Sequence, residues 1–416
     1  MIFPTHIVVL NVYFAPHSYG GATVVAEAVA RALAETHGCR VTAISSMIRP
    51  ELAPYSVMRV EQNGIQNYLI NLPQDLSYAE RYTNPQATEI IAGLLDDLQP
   101  DLLHAHCLQD IGAGALSLAR RRGLPTVLSM HDFWWICERQ FMIRENGHYC
   151  AQDPVRLEAC QGCVANMPRA RMRQDILWGD AGAADLVTFP SQFARDLTIA
   201  SGLPARLSAV WQNGVQLPTP GFFEMQTARR AADPKLVFGF VGGPSQIKGW
   251  PLIKATFEGL ERCDFAGFLV DASLDGSWWG KIDISKLRGD WQIQPRFLQA
   301  GMDAFYAKID VLLFPSQWKE TFGLTVREAA ARGIRVIQTD SGGTTEREGV
   351  DPRKMLRIGD GPEVLRAAVQ AVLETPGDHP APQPVTSYAD QATALLKLIE
   401  MHVKSPQSAM QSSAKG

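Results

Sequence analysis

The sequence predicts an α/β protein of two domains, each built on a parallel β-sheet with helices packed against it. Three observations carry that prediction. Short apolar runs alternate with helical patterns through most of the chain, an order that builds parallel sheets. The alternation breaks once, near residues 216–234, and then restarts. The chain is 416 residues long, more than one hydrophobic core usually serves, so the break reads as a boundary between two domains of similar size.

In the first half, strands are expected at His6–Tyr13, Arg40–Ser45, Leu102–Ala105, Thr126–Met130, Leu186–Phe189 and Ser208–Trp211. Helices are expected between them at Ala22–Glu35, Ala87–Leu98, Gly112–Arg122 and Gln192–Ala200. These elements make a first domain over residues 1–215. The segment QLPTPGFFEMQTARRAADPK has three prolines and no clean periodicity, so residues 216–234 are expected to be a linker. The second domain, 235–384, starts with a strand at Lys235–Val241. Strands follow near Gly267–Asp271, Gln292–Pro295, Asp310–Phe314, Arg335–Thr339 and Met355–Ile358. A last helix, Tyr388–Val403, lies within residues 385–404. The tail, 405–416, is rich in Ser, Gln and Lys and is expected to be disordered.

Hydrophobic residues make up 46% of the chain and charged residues 20%, the proportions of a soluble globular protein. The net charge of −4 gives no argument for nucleic acid as a partner. No apolar run reaches the ~18 residues that span a bilayer. The opening residues, MIFPTHIVVLNVYF, lack a basic leader and a small-residue cleavage site and read as a first strand. A cytoplasmic protein is expected. In that setting the seven cysteines are expected as thiols, catalytic groups or metal ligands more often than as disulfides.

Residues 315–333, PSQWKETFGLTVREAAARG, are the most informative stretch. The apolar run Val311–Phe314 ends in Pro315, a loop follows, and an Ala-rich helix starts after Phe322-Gly323-Leu324. A helix start offers unpaired N–H groups and a positive dipole end, which suit a phosphate. Gly323 lets the backbone approach a ligand closely. Glu320 stands on the loop and Glu328 about one turn into the helix, where carboxylates can accept hydrogen bonds from sugar hydroxyls. Phosphate on the helix and hydroxyls on the carboxylates is the chemistry of a sugar nucleotide.

This string resembles the E-x7-E motif of retaining GT-B glycosyltransferases, those of glycosyltransferase family 4 above all. Pro315-Ser316, Glu320, Phe322-Gly323-Leu324, Glu328-Ala329 and Gly333 fall in the family's register. The resemblance implies a GT-B fold: two Rossmann-like parallel-sheet domains facing across a cleft, with the last helix crossing back onto the first domain. It extends to PSQFARDL, 190–197, with WQNGV, 211–215, and to SGGTTE, 341–346. There Gly342-Gly343 would bring backbone toward the donor, and Glu346 reads equally as a helix cap.

Three further loops carry candidate residues. Gly20-Gly21 lies between the first strand and the first helix, where backbone N–H groups can line an anion site. The loop is not GxGxxG and no acidic residue is placed for a dinucleotide ribose, which argues against a dinucleotide-dependent oxidoreductase. It is similar to the family's loop beside the donor phosphates. Gly242-Gly243 and Lys248-Gly249, in FVGGPSQIKGW, follow the first strand of the second half. The resemblance makes Lys248 the cation that neutralises the departing diphosphate, a task suited to a compact point charge. Many family members add an arginine just after the first glycine of this turn, and here Gly243 stands in that place. His131-Asp132 ends the strand Thr126–Met130, at the carboxyl edge of a parallel sheet where ligands bind. By resemblance His131 lies near the reacting sugar. His104 and His106, at another strand end, read as structural or acceptor-side residues.

Cys137, Cys150, Cys160 and Cys163 fall within a 27-residue stretch that has little core of its own. The last pair is C-x2-C, a spacing that lets two thiolates share a metal. A closed structural site for zinc, or for an iron–sulfur cluster, is expected there. Some family 4 sequences carry a similar cysteine insertion.

The resemblance therefore implies retaining, metal-independent transfer of a hexosyl or related unit from a UDP- or GDP-sugar to a glycan or lipid-linked saccharide, in cell-surface polysaccharide biosynthesis. His131, Glu320 and Lys248 would be catalytic. Gly20, Gly21, Gly242, Gly243, Phe322, Gly323, Leu324 and Glu328 would bind the donor. Trp134, Trp135, Arg169, Arg171 and Arg173 would suit a lipid-linked sugar at the inner membrane face, with peripheral association. The alternatives are a non-catalytic sugar-nucleotide-binding protein, which the missing arginine would fit, and a sugar-nucleotide epimerase, for which no suitable carboxylate set is evident.

Overall fold

The computed structural model describes residues 4–297, 299–350 and 355–403. The chain divides into two units, one of Met1–Phe141, Gln152–Gly214 and Thr386–Gly416, the other of Met142–Ala151 and Val215–Val385. The expected tail at 405–416 lies outside the described residues.

The first unit holds an eight-stranded sheet: β1 (His6–Leu10), β2 (Arg40–Met47), β3 (Val57–Gln62), β4 (Ile65–Asn71), β5 (Leu102–Ala105), β6 (Thr126–Ser129), β7 (Leu186–Phe189) and β8 (Ser208–Val210). Their order is β3-β4-β2-β1-β5-β6-β7-β8. Its helices are α1 (Gly21–His37), α2 (Pro85–Leu98), α3 (Gly114–Arg121), α4 (Met167–Ala181) and α5 (Gln192–Ala200). β1 is HIVVL and every residue is buried, as a strand covered on both faces requires. All pairings are parallel except β3 with β4. That hairpin turns at Asn63-Gly64, both with positive φ, as a type I′ turn demands. It makes the sheet mixed, where a wholly parallel one was expected.

The second unit holds α6 (Phe222–Ala232), β9 (Leu236–Phe240), α7 (Trp250–Glu258), β10 (Phe265–Asp271), β11 (Asp290–Pro295), α8 (Met302–Tyr306), β12 (Val311–Phe314), α9 (Leu324–Ala331), β13 (Arg335–Gln338) and α10 (Pro362–Glu374). Its five strands are parallel in the order β11-β10-β9-β12-β13. The segment expected as a linker contains α6. Phe222 is fully buried beside Phe305 and Tyr306, and Arg229 and Arg230 bond Asp310 at 2.6 and 2.9 Å. Of the strand expected at Met355–Ile358, the structure shows a single bridge, Leu356 to Thr339.

Each sheet reverses its strand order once, between β1 and β5 in the first and between β9 and β12 in the second. Outside the carboxyl ends of strands at such a reversal, two loops part and leave a crevice for ligands.

The last helix, α11 (Tyr388–His402), belongs to the first unit and packs on α1. Ser387 and Asp390 close its start as a capping box. Gln391 is fully buried. Its Oε1 accepts from Gly214 N at 2.6 Å, and its carbonyl accepts from Trp211 Nε1 at 2.9 Å. Gln391→Leu nearly keeps the volume but strands the Gly214 N–H, at a cost of about 1–3 kcal/mol. Urea unfolding should show a lowered midpoint and hydrogen exchange a loosened α11. An unchanged midpoint would mean that the apolar face of α11 suffices.

Candidate active site

In the second unit a cavity of about 90 Å³ opens among Phe240, Val241, Gly242, Lys248, Leu312, Leu313, Phe314, Ser316 and Thr325. It lies at the carboxyl ends of β9 and β12, the strand-order reversal of this sheet. The volume suits a phosphate-sized group, well below the ~300–1,000 Å³ of a whole ligand pocket. Two loops form it and are laced together. Gln317 N donates to Ile247 O at 2.8 Å. At Gly249, with φ +81°, a Cβ would sit 2.1 Å from Pro315 O, so only glycine permits this approach.

Glu320 is the node of these loops and is 8% exposed. Its Oε1 accepts from Lys248 Nζ at 2.7 Å, Ser316 Oγ at 2.9 Å and Trp318 Nε1 at 2.9 Å. Its backbone joins the loop after β13: Glu320 N donates to Ser341 Oγ at 3.1 Å, and Gly343 N donates to Glu320 O at 2.9 Å. Lys248 keeps about a third of its side chain exposed. Its ammonium therefore stands at the cavity wall, anchored on one side and open on another.

Helix α9 starts at Leu324 after Gly323, and no side chain among the described residues caps it. The N–H groups of its first turn thus lack intrahelical acceptors. Arg327 is buried and ties the surrounding backbone, donating to the carbonyls of Phe322, Gly343 and Glu346. Its guanidinium lies 3.6 Å from the Phe322 ring centroid. Burial holds its pKa down to about 9, still cationic at neutral pH.

Glu328 is one turn deeper in α9 and 6% exposed. Tyr306 Oη donates to its Oε2 at 2.9 Å and to Thr325 O at 3.2 Å. Burial raises the carboxyl above its ordinary range, and the Tyr306 hydrogen bond and the charge of Arg332 oppose that rise only in part. Arg332 is itself fully buried and paired with Asp303 at 2.6 Å.

Sequence reasoning missed Trp278. At Gly243 a Cβ would lie 2.6 Å from the Trp278 ring. The indole fills the space an arginine side chain would need, so the absent cation is matched by a packed aromatic. Nothing local in the sequence signals a contact between residues 35 positions apart.

In the first unit, Asn11, His106 and His131 follow β1, β5 and β6. His131 Nε2 and His106 Nδ1 are 2.9 Å apart. His104 Nε2 meets Ser129 Oγ at 2.8 Å. Burial lowers the pKa values of His104 to about 3 and His131 to about 4, and that of His106 well below the usual imidazole range. All three rings are neutral at neutral pH. Asp132 accepts from Trp134 N, Gln140 Nε2 and Gln109 Nε2 at 2.8, 2.6 and 3.3 Å, so it shapes its own loop. Gly20, φ +84°, stands at the start of α1, and Gly21 is its first residue. That places the pair near the end of β1, two strands from His131 in the sheet order.

Two expectations need correction. Among the described residues, no three His, Cys, Asp or Glu side chains come together as metal ligands would. Cys137, Cys150, Cys160 and Cys163 form no disulfide, and the metal staple is not assembled. Cys150 falls in the second unit and the other three in the first. Cys160 serves as a weak hydrogen-bond partner of Arg156 O and Gln152 Nε2. The second correction concerns the lipid-facing patch. Trp134, Trp135 and Arg173 are buried, and Arg173 donates to Trp134 O at 2.7 Å. They are core groups, which leaves Arg169 and Arg171 at the surface.

Residues 19–218 match the family described as Glycosyltransferase Family 4, and residues 235–375 match Glycosyl transferases group 1. Sulfoquinovosyl transferase SQD2 of Arabidopsis thaliana is 26% identical over 263 residues, 59% of this chain and 44% of the relative. The match thus spans less than half the length of that protein. Sucrose-phosphate synthase from Thermosynechococcus elongatus superposes with a TM-score of 0.60 at 15% identity, over 99% of this chain and 100% of the other. HepE of Anabaena in complex with UDP gives 0.61 at 16% identity, over 98% and 99% of the two chains; its complex with UDP-glucose gives 0.59. At these identities the likeness to the solved structures is one of fold, and that fold is GT-B.

The raised carboxyl of Glu328 makes a stability prediction. A group whose folded pKa exceeds its unfolded one stabilises below the unfolded value and loses that contribution as pH rises through the folded one. Glu328→Gln carries no such dependence. Its melting temperature relative to wild type should therefore improve as pH rises from about 4, the ordinary carboxylate range, toward neutrality. A difference that falls over this range would show that Arg332 and Tyr306 more than offset the burial.

Proposed function

The chain belongs to the glycosyltransferases, with family 4 in its first half and group 1 in its second, and we propose that it transfers a hexosyl unit from a UDP-sugar with retention of anomeric configuration. The observation that carries this reading is the meeting of Lys248 and the uncapped start of α9 at one phosphate-sized cavity. A cation and a helix N-terminus at one cavity would stabilise the charge that develops as a diphosphate leaves, and preorganised donors of this kind commonly dominate catalysis. UDP is preferred to GDP because the HepE structures hold UDP and UDP-glucose.

In this reading Lys248 and the amides after Gly323 take the diphosphate, with Phe322 and Leu324 setting that backbone. Gly242 and Gly243 bring the loop after β9 alongside. Glu328 accepts from ribose hydroxyls, exchanging its Tyr306 bond or adding to it. Glu320 is the second unit's candidate for the transferred sugar; by the resemblance, His131 is the first unit's, with Gly20-Gly21 for the donor. With one lysine and no arginine, the site depends on Lys248 more than a two-cation site would. The departing phosphate takes the proton of the acceptor hydroxyl on the same face of the sugar, so no side-chain base and no catalytic metal are required. The acceptor is a glycan or lipid-linked saccharide of the cell surface. Exposed Met172 and Ile176 on α4, beside Arg169 and Arg171, suit contact with an anionic membrane face. No helix among the described residues is long and apolar enough to cross a membrane.

The test uses UDP-glucose turnover and UDP binding. Lys248→Ala should lower kcat on the order of 10²–10³-fold, with a smaller change in donor KM. Retention of most turnover would place the diphosphate charge elsewhere. Glu328→Ala should weaken UDP binding by about 1.5–3 kcal/mol in calorimetry, the loss of a charge-assisted hydrogen bond. Unchanged affinity would remove the ribose role.

A further inference from the structure

Behind His131 the first unit buries a group that the proposed chemistry leaves unused. His106 is 1% exposed and follows β5, with its N–H donating to Leu10 O at 2.9 Å. Its ring meets that of His131 edge to edge and nearly coplanar, centroids 5.2 Å apart and planes 15° apart. The ring of His104 lies 4.1 Å away, centroid to centroid, and tilted by 41°. Its Nδ1 meets His131 Nε2 at 2.9 Å, while its Nε2 is buried with no hydrogen-bond partner among the described residues.

One proton must lie between the two rings, and there are two ways to place it. If His131 donates from Nε2, a neutral His106 must carry its own proton on Nε2. That proton would be a buried N–H without an acceptor. If His106 donates from Nδ1, its Nε2 is left with an unpaired lone pair. An orphaned buried N–H is the rarer arrangement in folded proteins, and a buried donor without a partner keeps its full desolvation penalty. The second arrangement therefore holds. It leaves the proton of His131 on Nδ1.

We propose that His106 is a positioning residue for His131: its Nδ1–H fixes the His131 ring in one orientation and in the tautomer protonated on Nδ1. His131 then meets the transferred sugar as a fixed neutral group and not as an acid. This rests on the assignment of His131 to that sugar.

Two measurements test it. Nitrogen-15 NMR of histidine-labelled protein at about pH 7 should show His131 bare at Nε2 and protonated at Nδ1. His106→Asn, whose amide can replace the Nδ1–H donor, should keep that signature, and His106→Leu should lose it. A wild-type His131 protonated on Nε2 overturns the proposal. In UDP-glucose turnover, His106→Leu should lower kcat on the order of 10- to 100-fold with little change in KM, and His106→Asn should restore most of it. The double variant His106→Leu/His131→Ala should be no slower than His131→Ala alone. Independent, additive losses would show that His106 does not act through His131. If His131→Ala turns over normally, the sugar assignment fails and the catalytic half of the proposal goes with it. The NMR result would still decide the pairing. Should His106→Leu fail to fold, the wild-type tautomer and the His106→Asn kinetics carry the same decision.

Discussion

One carboxylate oxygen organises the ligand end of the second unit. Glu320 Oε1 accepts from a lysine, a serine and a tryptophan, and these donors come from the loops after β9 and β12. The backbone of the same residue binds the loop after β13. Three loops on adjacent strands are thereby fixed around one buried point. Without the carboxylate, the Ser316 hydroxyl would keep only its longer bond to Ile247 O and the Trp318 indole would lose its 2.9 Å acceptor, a loss of about 1–3 kcal/mol for a buried donor. Lys248 would lose the anchor that aims its ammonium at the cavity. Stability and charge placement are thus carried by the same contact, so a substitution at Glu320 tests both at once and separates neither.

The two units solve the polar-burial problem in opposite ways. The second buries ionisable groups: Glu328, Arg327, Arg332 and Asp303 are nearly or fully enclosed, each held by hydrogen bonds or a paired charge. Such groups are costly to bury and strongly oriented once bonded, which fits the proposed binding of a diphosphate and a ribose in one pose. The first unit buries neutral imidazoles. There burial suppresses protonation, so the rings orient through hydrogen bonds and not through charge. The Glu320–Lys248 pair in the second unit and the imidazoles in the first stand at the carboxyl ends of strands beside a reversal of strand order, where the topology leaves room for a ligand; Arg332 and Asp303 brace α9 from its far end.

Local signals made much of this legible in the sequence. The Val311–Phe314 run, Pro315, the Gly323 turn and the Ala-rich helix are consecutive, so the loop and helix carrying Glu320 and Glu328 could be read directly. Lys248 was placed by the strand and glycines before it. Elements whose buried faces carry polar or charged residues escaped. Helix α4 buries Arg173 among Ala170, Leu177 and Ala181, and a pattern search counts that arginine as surface. Helix α6 hid between prolines, because its anchors are Phe222 and the reach of Arg229 and Arg230 to Asp310. The β3–β4 hairpin did have a signal, Asn63-Gly64, between short strands of weak alternation. The separation of the four thiols, the packing of Trp278 on Gly243 and the contact of His106 with His131 are all non-local. No spacing rule reaches them.

The central claim is that the carboxyl ends of β9 and β12 hold the diphosphate end of the donor. A crystal structure of the protein with UDP tests it most directly. The account predicts a phosphate within hydrogen-bond reach of Lys248 Nζ and of the first-turn amides of α9, with the ribose hydroxyls on Glu328. UDP bound at any other place on the second unit, or with its phosphates away from Lys248, would contradict it.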